Sequence, residues 1–228
     1  MACTSLDEIH DRLLDGLVFC ASVYELFESV RNSEDGRSLL RMRRGDTAKK
    51  LLEELLPICK YVQANYRAGR YISVRWVNGN QQYDAEIQQW GGYIEHSRVP
   101  SNAHLEVTCV MHPNDHLVRE LLDQGGVAFA VEETRRDKKT RKIESTPLVR
   151  GTQDFIDSYV PLVTAQLNKK VGINYPEKTT LVVQCSLNAL YMADEWERLV
   201  GKVRSDMPKH GFLEVFIYDA VSEQYAYL

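Results

Sequence analysis

QQYDAEIQQW (residues 81–90) and HLEVTCV (residues 104–110) alternate polar and apolar side chains with period two, and each carries acids in its middle. Strand side chains point alternately to opposite faces. Asp84, Glu86 and Gln88 therefore share one face of the first segment, and Tyr83, Ala85 and Ile87 the other. In the second, His104, Glu106 and Thr108 oppose Leu105, Val107 and Cys109. An antiparallel sheet with one wet side gives this alternation without any chemistry. Two carboxylates on neighbouring strands also suit Mg²⁺ or Mn²⁺, since Mg²⁺ takes one or two carboxylates and completes its shell with water and phosphate.

The flanking sequence predicts the elements around these strands. YISVRWV (71–77), the turn signal NGN (78–80) and QQYDAEIQQW read as a β-hairpin, because Asn-Gly suits a type I′ turn. Upstream, helical spacing predicts one helix over 5–31 and a second from Asp46 or Thr47 to about Tyr66, kinked or divided by Pro57. Downstream, residues 112–126 read as a short helix ended by glycines. VAFAVEETR (127–135) and RKIESTPLV (141–149) form a second predicted hairpin around RDKKT. A long helix spans 152–171, with Ile156, Val163 and Leu167 on its buried stripe. TTLVVQCSL (179–187) is a continuous apolar strand expected at the sheet centre. A helix over 189–204 and strands at 212–220 and 225–228 complete the chain. This order predicts an α/β fold with a mixed central β-sheet flanked by helices. Residues 1–45 read as an N-terminal helical extension, and 46–228 as one α/β domain with a basic hairpin insertion near 127–150.

The chain has 228 residues, is 44% hydrophobic and carries a net charge of −4. No global positive field recruits polyanions, so any such binding falls to a local patch. No apolar run reaches the length of a membrane span, and the acidic N-terminus lacks the pattern of a signal peptide. Five cysteines, odd in number and widely spaced, read as free thiols in a reducing cytoplasm.

From residue 47 to 186, about 140 residues, the order of elements together with YDA (83–85) and LEVT (105–108) resembles the PD-(D/E)XK nuclease superfamily. The resemblance implies a restriction-endonuclease-like core and a metal-dependent nuclease acting on DNA or RNA. Asp84, Glu106 and the main-chain carbonyl of Val107 would be the metal ligands. Tyr83 stands where that family often has proline, and Thr108 where it usually has the lysine that serves the attacking water. A threonine hydroxyl binds water but carries no charge. Lys170, near the end of the long helix, is the candidate substitute, with Thr108 left to position the water. A lysine near a helix C-terminus is equally explained by the helix dipole. Glu53, Glu86 and Gln166 are accessory candidates.

In RRDKKTRK (135–142), six of eight residues are basic: Arg135, Arg136, Lys138, Lys139, Arg141 and Lys142. Such a hairpin tip reads as a phosphate-binding finger or as a solvated turn, and RMRR (41–44) would join it if the fold brings it near. His104, His112 and His116 lack a third ligand at zinc spacing. The competing reading is a catalytically inactive binding module that engages nucleic acid or a protein partner. Either reading is compatible with a homodimer.

Overall fold

The computed structural model describes residues 5–186 and 192–228. In chain order the elements are α1 (Leu6–Ile9), β1 (Leu13–Asp15), α2 (Gly16–Arg31), α3 (Gly36–Met42) and α4 (Asp46–Lys50). A π-helical turn (Leu51–Leu55) leads into α5 (Leu56–Asn65), then β2 (Tyr71–Trp76), β3 (Ala85–Trp90), α6 (Gly92–His96) and β4 (Asn102–Val110). α7 (Asp115–Asp123), β5 (Thr134–Arg136), β6 (Ile143–Ser145), α8 (Thr152–Val171), β7 (Thr179–Cys185), α9 (Ala193–Ser205), β8 (Val215–Asp219) and β9 (Tyr225–Tyr227) follow.

Seven strands form one mixed sheet in the order β1-β2-β3-β4-β7-β8-β9. From β1 to β4 each strand runs antiparallel to the next. β4 and β7 are parallel, as are β7 and β8. β9 returns antiparallel at the far edge. The α/β class and the mixed sheet agree with the sequence. β7 is buried along its whole length but lies beside the middle strand, β4.

Helices cover both faces. On one, α2 and α5 pack Phe19, Val23, Ile58 and Val62 against Ile72, Val74, Ala85, Ile87, Leu105 and Val107. On the other, α8 and α9 pack Ile156, Val163, Leu167, Trp196 and Leu199 against Val110, Leu181, Val183, Val215 and Ile217. That second layer lies over β4, β7 and β8.

Four sequence expectations change. The single helix over 5–31 is broken: the chain turns at Asp11 (φ 54°), forms edge strand β1 against β2, and restarts as α2 at Gly16. Asp15 caps α2, its carboxylate accepting from the Leu17 N–H at 2.9 Å. Gly16 lies so close to β2 that a Cβ there would sit 2.8 Å from the Ile72 carbonyl oxygen.

The β2-β3 hairpin forms, but without the Asn-Gly tight turn. Pairing of β2 with β3 stops at Trp76↔Ala85, leaving residues 77–84 as a loop instead of a two-residue turn. The side-chain amide of Gln81 bridges the carbonyls of Val77 and Tyr83 at 2.6 and 2.8 Å, which holds the wider loop.

Pro57 does not divide the second helix. It lies just after the π turn of a helix that runs on from Asp46 to Asn65, and its missing N–H leaves the Glu53 carbonyl without its helical bond. The preceding turn widens, with the Leu56 N–H donating to the Leu51 carbonyl. The basic hairpin is shorter than predicted, with only Thr134–Arg136 paired to Ile143–Ser145. Of the helix expected over 189–204, residues 193–204 are in α9 and 189–191 lie outside the described residues.

Candidate functional site

The sheet opens where β3 begins. β3 pairs with β4 up to Ala85↔Leu105, whereas β4 stays paired with β7 on its other side to Val110↔Cys185. The β4 backbone beyond Leu105 is thus free of a strand on one edge. Asp84 fills the start of that gap. Its N–H donates to the Leu105 carbonyl at 2.8 Å, and its carboxylate accepts from the Val107 N–H at 2.7 Å. A strand residue's N–H and C=O point to the same side, so the Val107 carbonyl also faces the gap.

Glu106 and Thr108 point to the opposite face of β4 from Leu105 and Val107, toward α8. Both are buried. The Lys170 ammonium lies 2.6 Å from Glu106 Oε1, and the Tyr175 hydroxyl donates to the same oxygen at 3.3 Å. One turn earlier on α8, the Gln166 amide donates to Thr108 Oγ1 at 2.6 Å. The helical spacing of 166 and 170 places both side chains over successive same-face residues of β4.

Burial pushes the Asp84 carboxyl up to about 7, and the negative charges of Glu106 and Glu54 add to this. The Val107 N–H and the Lys170 charge oppose it. Burial and Glu106 likewise raise the Tyr175 hydroxyl, which keeps it a proton donor.

The accessory candidates divide. Gln166 joins the site. Glu53 pairs with Arg43 at 3.1 Å, and its carbonyl accepts from the Cys109 thiol at 3.9 Å. Pro57, four residues on, has no N–H for that carbonyl. Its neighbour Glu54 is the acid whose charge reaches Asp84. Glu54 accepts from the Trp76 indole N–H at 3.0 Å, and burial raises its carboxyl against that bond. The residue pair Glu53-Glu54 was visible in the sequence; the π turn that orients it was not. Glu86 is held by Arg75 and accepts from the Tyr83 hydroxyl at 2.8 Å.

Among the described residues, no three His, Cys, Asp or Glu side chains converge as a ready metal cluster. His104 lies against Tyr83 and near the Glu177 carbonyl. His112 Nδ1 accepts from the Asn114 N–H, and His116 contacts the Pro113 carbonyl. Cys20, Cys59, Cys109 and Cys185 are free thiols.

The basic segment lies on the short hairpin of β5 and β6, a two-stranded sheet separate from the main one. Arg135 is paired with Glu133 and Arg136 with Glu120. Lys138, Lys139, Arg141 and Lys142 are exposed at the tip, around a turn in which Asp137 accepts from the N–H groups of Lys139 and Thr140. α3 docks on α7, with Ser38 bonded to Asp123 and Arg41 to the Leu122 carbonyl. RMRR is thereby brought beside the insertion.

Comparison with protein-family models, curated proteins and solved structures finds no match. Among the described residues, no helix is long and apolar enough to cross a membrane.

Proposed function

We propose that this chain is a metal-dependent nuclease with a restriction-endonuclease-like core, hydrolysing phosphodiester bonds of DNA or RNA. The observation that carries the reading is the meeting of Asp84, Glu106 and Lys170 at the gap between β3 and β4. The three come from separate parts of the chain: Lys170 pairs with Glu106, and Asp84 bonds the N–H of the next residue, Val107, where β3 stops pairing with β4. An antiparallel β2-β3-β4 meander followed by α8 and a parallel β7 gives further support.

The residues fit Mg²⁺ or Mn²⁺. Two carboxylates and the Val107 carbonyl are all oxygen donors, and Mg²⁺ needs no more than one or two carboxylates from a protein. Asp84 is desolvated and repelled by Glu106, a charge arrangement that a divalent cation relieves. When bound, the metal supplies Lewis-acid polarisation of the phosphodiester and a more acidic water.

The chain's own groups divide the remaining work. Lys170 places a positive charge at Glu106, where it can stabilise charge developing on a phosphate oxygen. Thr108, held by Gln166, presents a hydroxyl that accepts or donates to a water. Tyr175 donates to Glu106 and holds its orientation. The tip lysines and Arg141 offer sequence-independent contacts to phosphates. The free thiols suit a reducing compartment, and we assign the protein to the cytoplasm.

A second reading, a nuclease-fold binding module without catalysis, is favoured by one observation. Thr108, where the resemblance expects lysine, is buried and bonded to Gln166, and Lys170 is already paired with Glu106. Incubation of purified protein with plasmid DNA or RNA and Mg²⁺ or Mn²⁺ separates the two. A nuclease nicks the substrate, and both Asp84→Ala and Glu106→Ala abolish nicking. Equal activity in the variants, or none in the wild type, removes the nuclease reading.

A further inference from the structure

Among the described residues, the α8 and α9 layer packs on β4, β7 and β8 and does not reach the outward face of β2 and β3. Ile72, Val74, Trp76, Ala85 and Ile87 point inward and are buried. The alternate residues, from Tyr71 through Arg75 on β2 and from Glu86 through Trp90 on β3, point the other way and are exposed or half-buried. Trp90 is 47% exposed and Tyr71 37%, although each sits within a strand. Their ring centroids lie 6.1 Å apart, and Tyr66 packs edge-on against Tyr71 from the side at 5.9 Å. Between this pair and the acids, Ser73 and Gln88 offer hydrogen-bonding groups. Tyr83 and His104, with rings 4.6 Å apart, stand at the Asp84 end. The strip runs the length of β3, about 17 Å at the usual rise per residue.

We infer that this strip is a stacking platform for single-stranded nucleic acid, along which an unpaired strand is led to Asp84 and Glu106. Two exposed rings separated by polar side chains suit bases, each of which has a flat π-face and hydrogen-bonding edges. Ser73, Arg75, Glu86 and Gln88 interrupt the rings along the strip, which suits bases better than an apolar protein partner. Duplex DNA, held chiefly through its phosphates, would find little free charge, because Arg75 is already paired with Glu86 and Asp11. The strip is also continuous with the proposed active site, since Glu86 pairs with His104 two residues before Glu106. The inference deepens the nuclease reading and rests on it for the fate of the strand, but binding can be measured without cleavage.

The chain has three tryptophans, and Trp76 and Trp196 are buried. All three emit, but a base stacked on this face contacts only Trp90, so quenching that is lost in Trp90→Phe is assigned to it. The full-length protein is titrated, without divalent metal, with an oligothymidylate of about 12 nucleotides, the matching oligouridylate and a duplex of the same length. The expected result is saturable quenching by a single strand, stronger than by duplex; the two oligonucleotides distinguish DNA from RNA. Anisotropy of the labelled oligonucleotide should show Trp90→Ala binding about tenfold more weakly and Trp90→Phe, which keeps a ring, close to wild type. Absence of quenching, preference for duplex, or unchanged affinity in Trp90→Ala overturns the platform. So does a self-association lost in Trp90→Ala, which would assign the face to a second copy. Metal-dependent nicking that needs Asp84 but ignores Trp90 sinks the platform and leaves the nuclease standing. Quenching without nicking does the reverse.

Discussion

The ammonium of Lys170 lies 2.6 Å from Oε1 of Glu106, although 64 residues separate them in the chain. α8 crosses β4 at the position that brings its last turn over Glu106, and Gln166 over Thr108 one turn earlier. A lysine in the last turn of a helix has a second role in the helix dipole, worth a few tenths of a kcal/mol. The ion pair distinguishes the two roles. Lys170→Met should reduce nicking by about 10²-fold, the usual scale for losing a charge aimed at a reacting oxygen. A plasmid-relaxation time course measures it. A variant as active as wild type would leave Lys170 with only its ion-pair and dipole roles.

Asp84 makes stability depend on pH. Its folded carboxyl is raised to about 7, by burial first and then by Glu106, from about 3.9 in an unfolded chain. Between those values the native state holds a proton that the unfolded chain has released, so stability falls as pH rises through the window. Asp84→Asn keeps an acceptor for the Val107 N–H and removes the titration. The variant should match wild type near pH 4 and exceed it at pH 8 by roughly 1–3 kcal/mol, allowing for a partly exposed carboxyl. Urea unfolding at both pH values checks the sign.

The same carboxyl should make metal binding pH-dependent. A ligand that binds only the native state raises the melting temperature. Mg²⁺ should therefore raise it at pH 8, where Asp84 is ionised, and have little effect at pH 5. Glu106→Ala should show no rise at either pH. Thermal scans with and without Mg²⁺ report this without any substrate, and an equal rise in Glu106→Ala would locate the metal elsewhere.

The hairpin tip carries four exposed cations, Lys138, Lys139, Arg141 and Lys142. Replacing them with glutamine should weaken nucleic-acid binding without changing the fold. It should also flatten the dependence of log K on log salt by about 0.9 for each duplex-DNA phosphate that the tip no longer neutralises. Anisotropy across a salt series gives the slope. An unchanged slope would mean the tip is a solvated turn.

Gly16→Ala tests how the N-terminal segment is seated. The added Cβ would meet the Ile72 carbonyl oxygen and Val62 Cγ1, each at 2.8 Å. The backbone oxygen belongs to β2 and cannot rotate away. A decrease in stability of about 1–3 kcal/mol is expected from overpacking of this kind, read as a lower urea midpoint.

Period-two alternation in YISVRWV, YDAEIQQ and HLEVTCV, helical periodicity over 152–171 and the apolar run from 179 were enough for an α/β sheet protein with its main strands in place. Those signals are local, because each strand or helix must hide its own apolar face. Asp84 and Glu106 also stand out, as acids within strand-like runs, whereas Lys170 becomes a candidate only through the nuclease resemblance. Other features depended on partners distant in sequence. Edge strand β1 lies inside what reads as one helix, because helical spacing continues through Leu13 and Leu17 and only β2 offers the alternative pairing. Asn78-Gly79 suggests a tight turn, yet Asp84 bonds to Leu105 and Val107 of β4, and the loop widens to let it. Around the π turn before Pro57, Glu53 pairs with Arg43 while Glu54 accepts from the Trp76 indole, a division between adjacent glutamates that no periodicity records. Local sequence thus determined the elements and the chemical types available. Tertiary structure decided which carboxylates approach one another, because β3 leaves β4 beyond Ala85↔Leu105 while β7 stays paired with β4 to Val110.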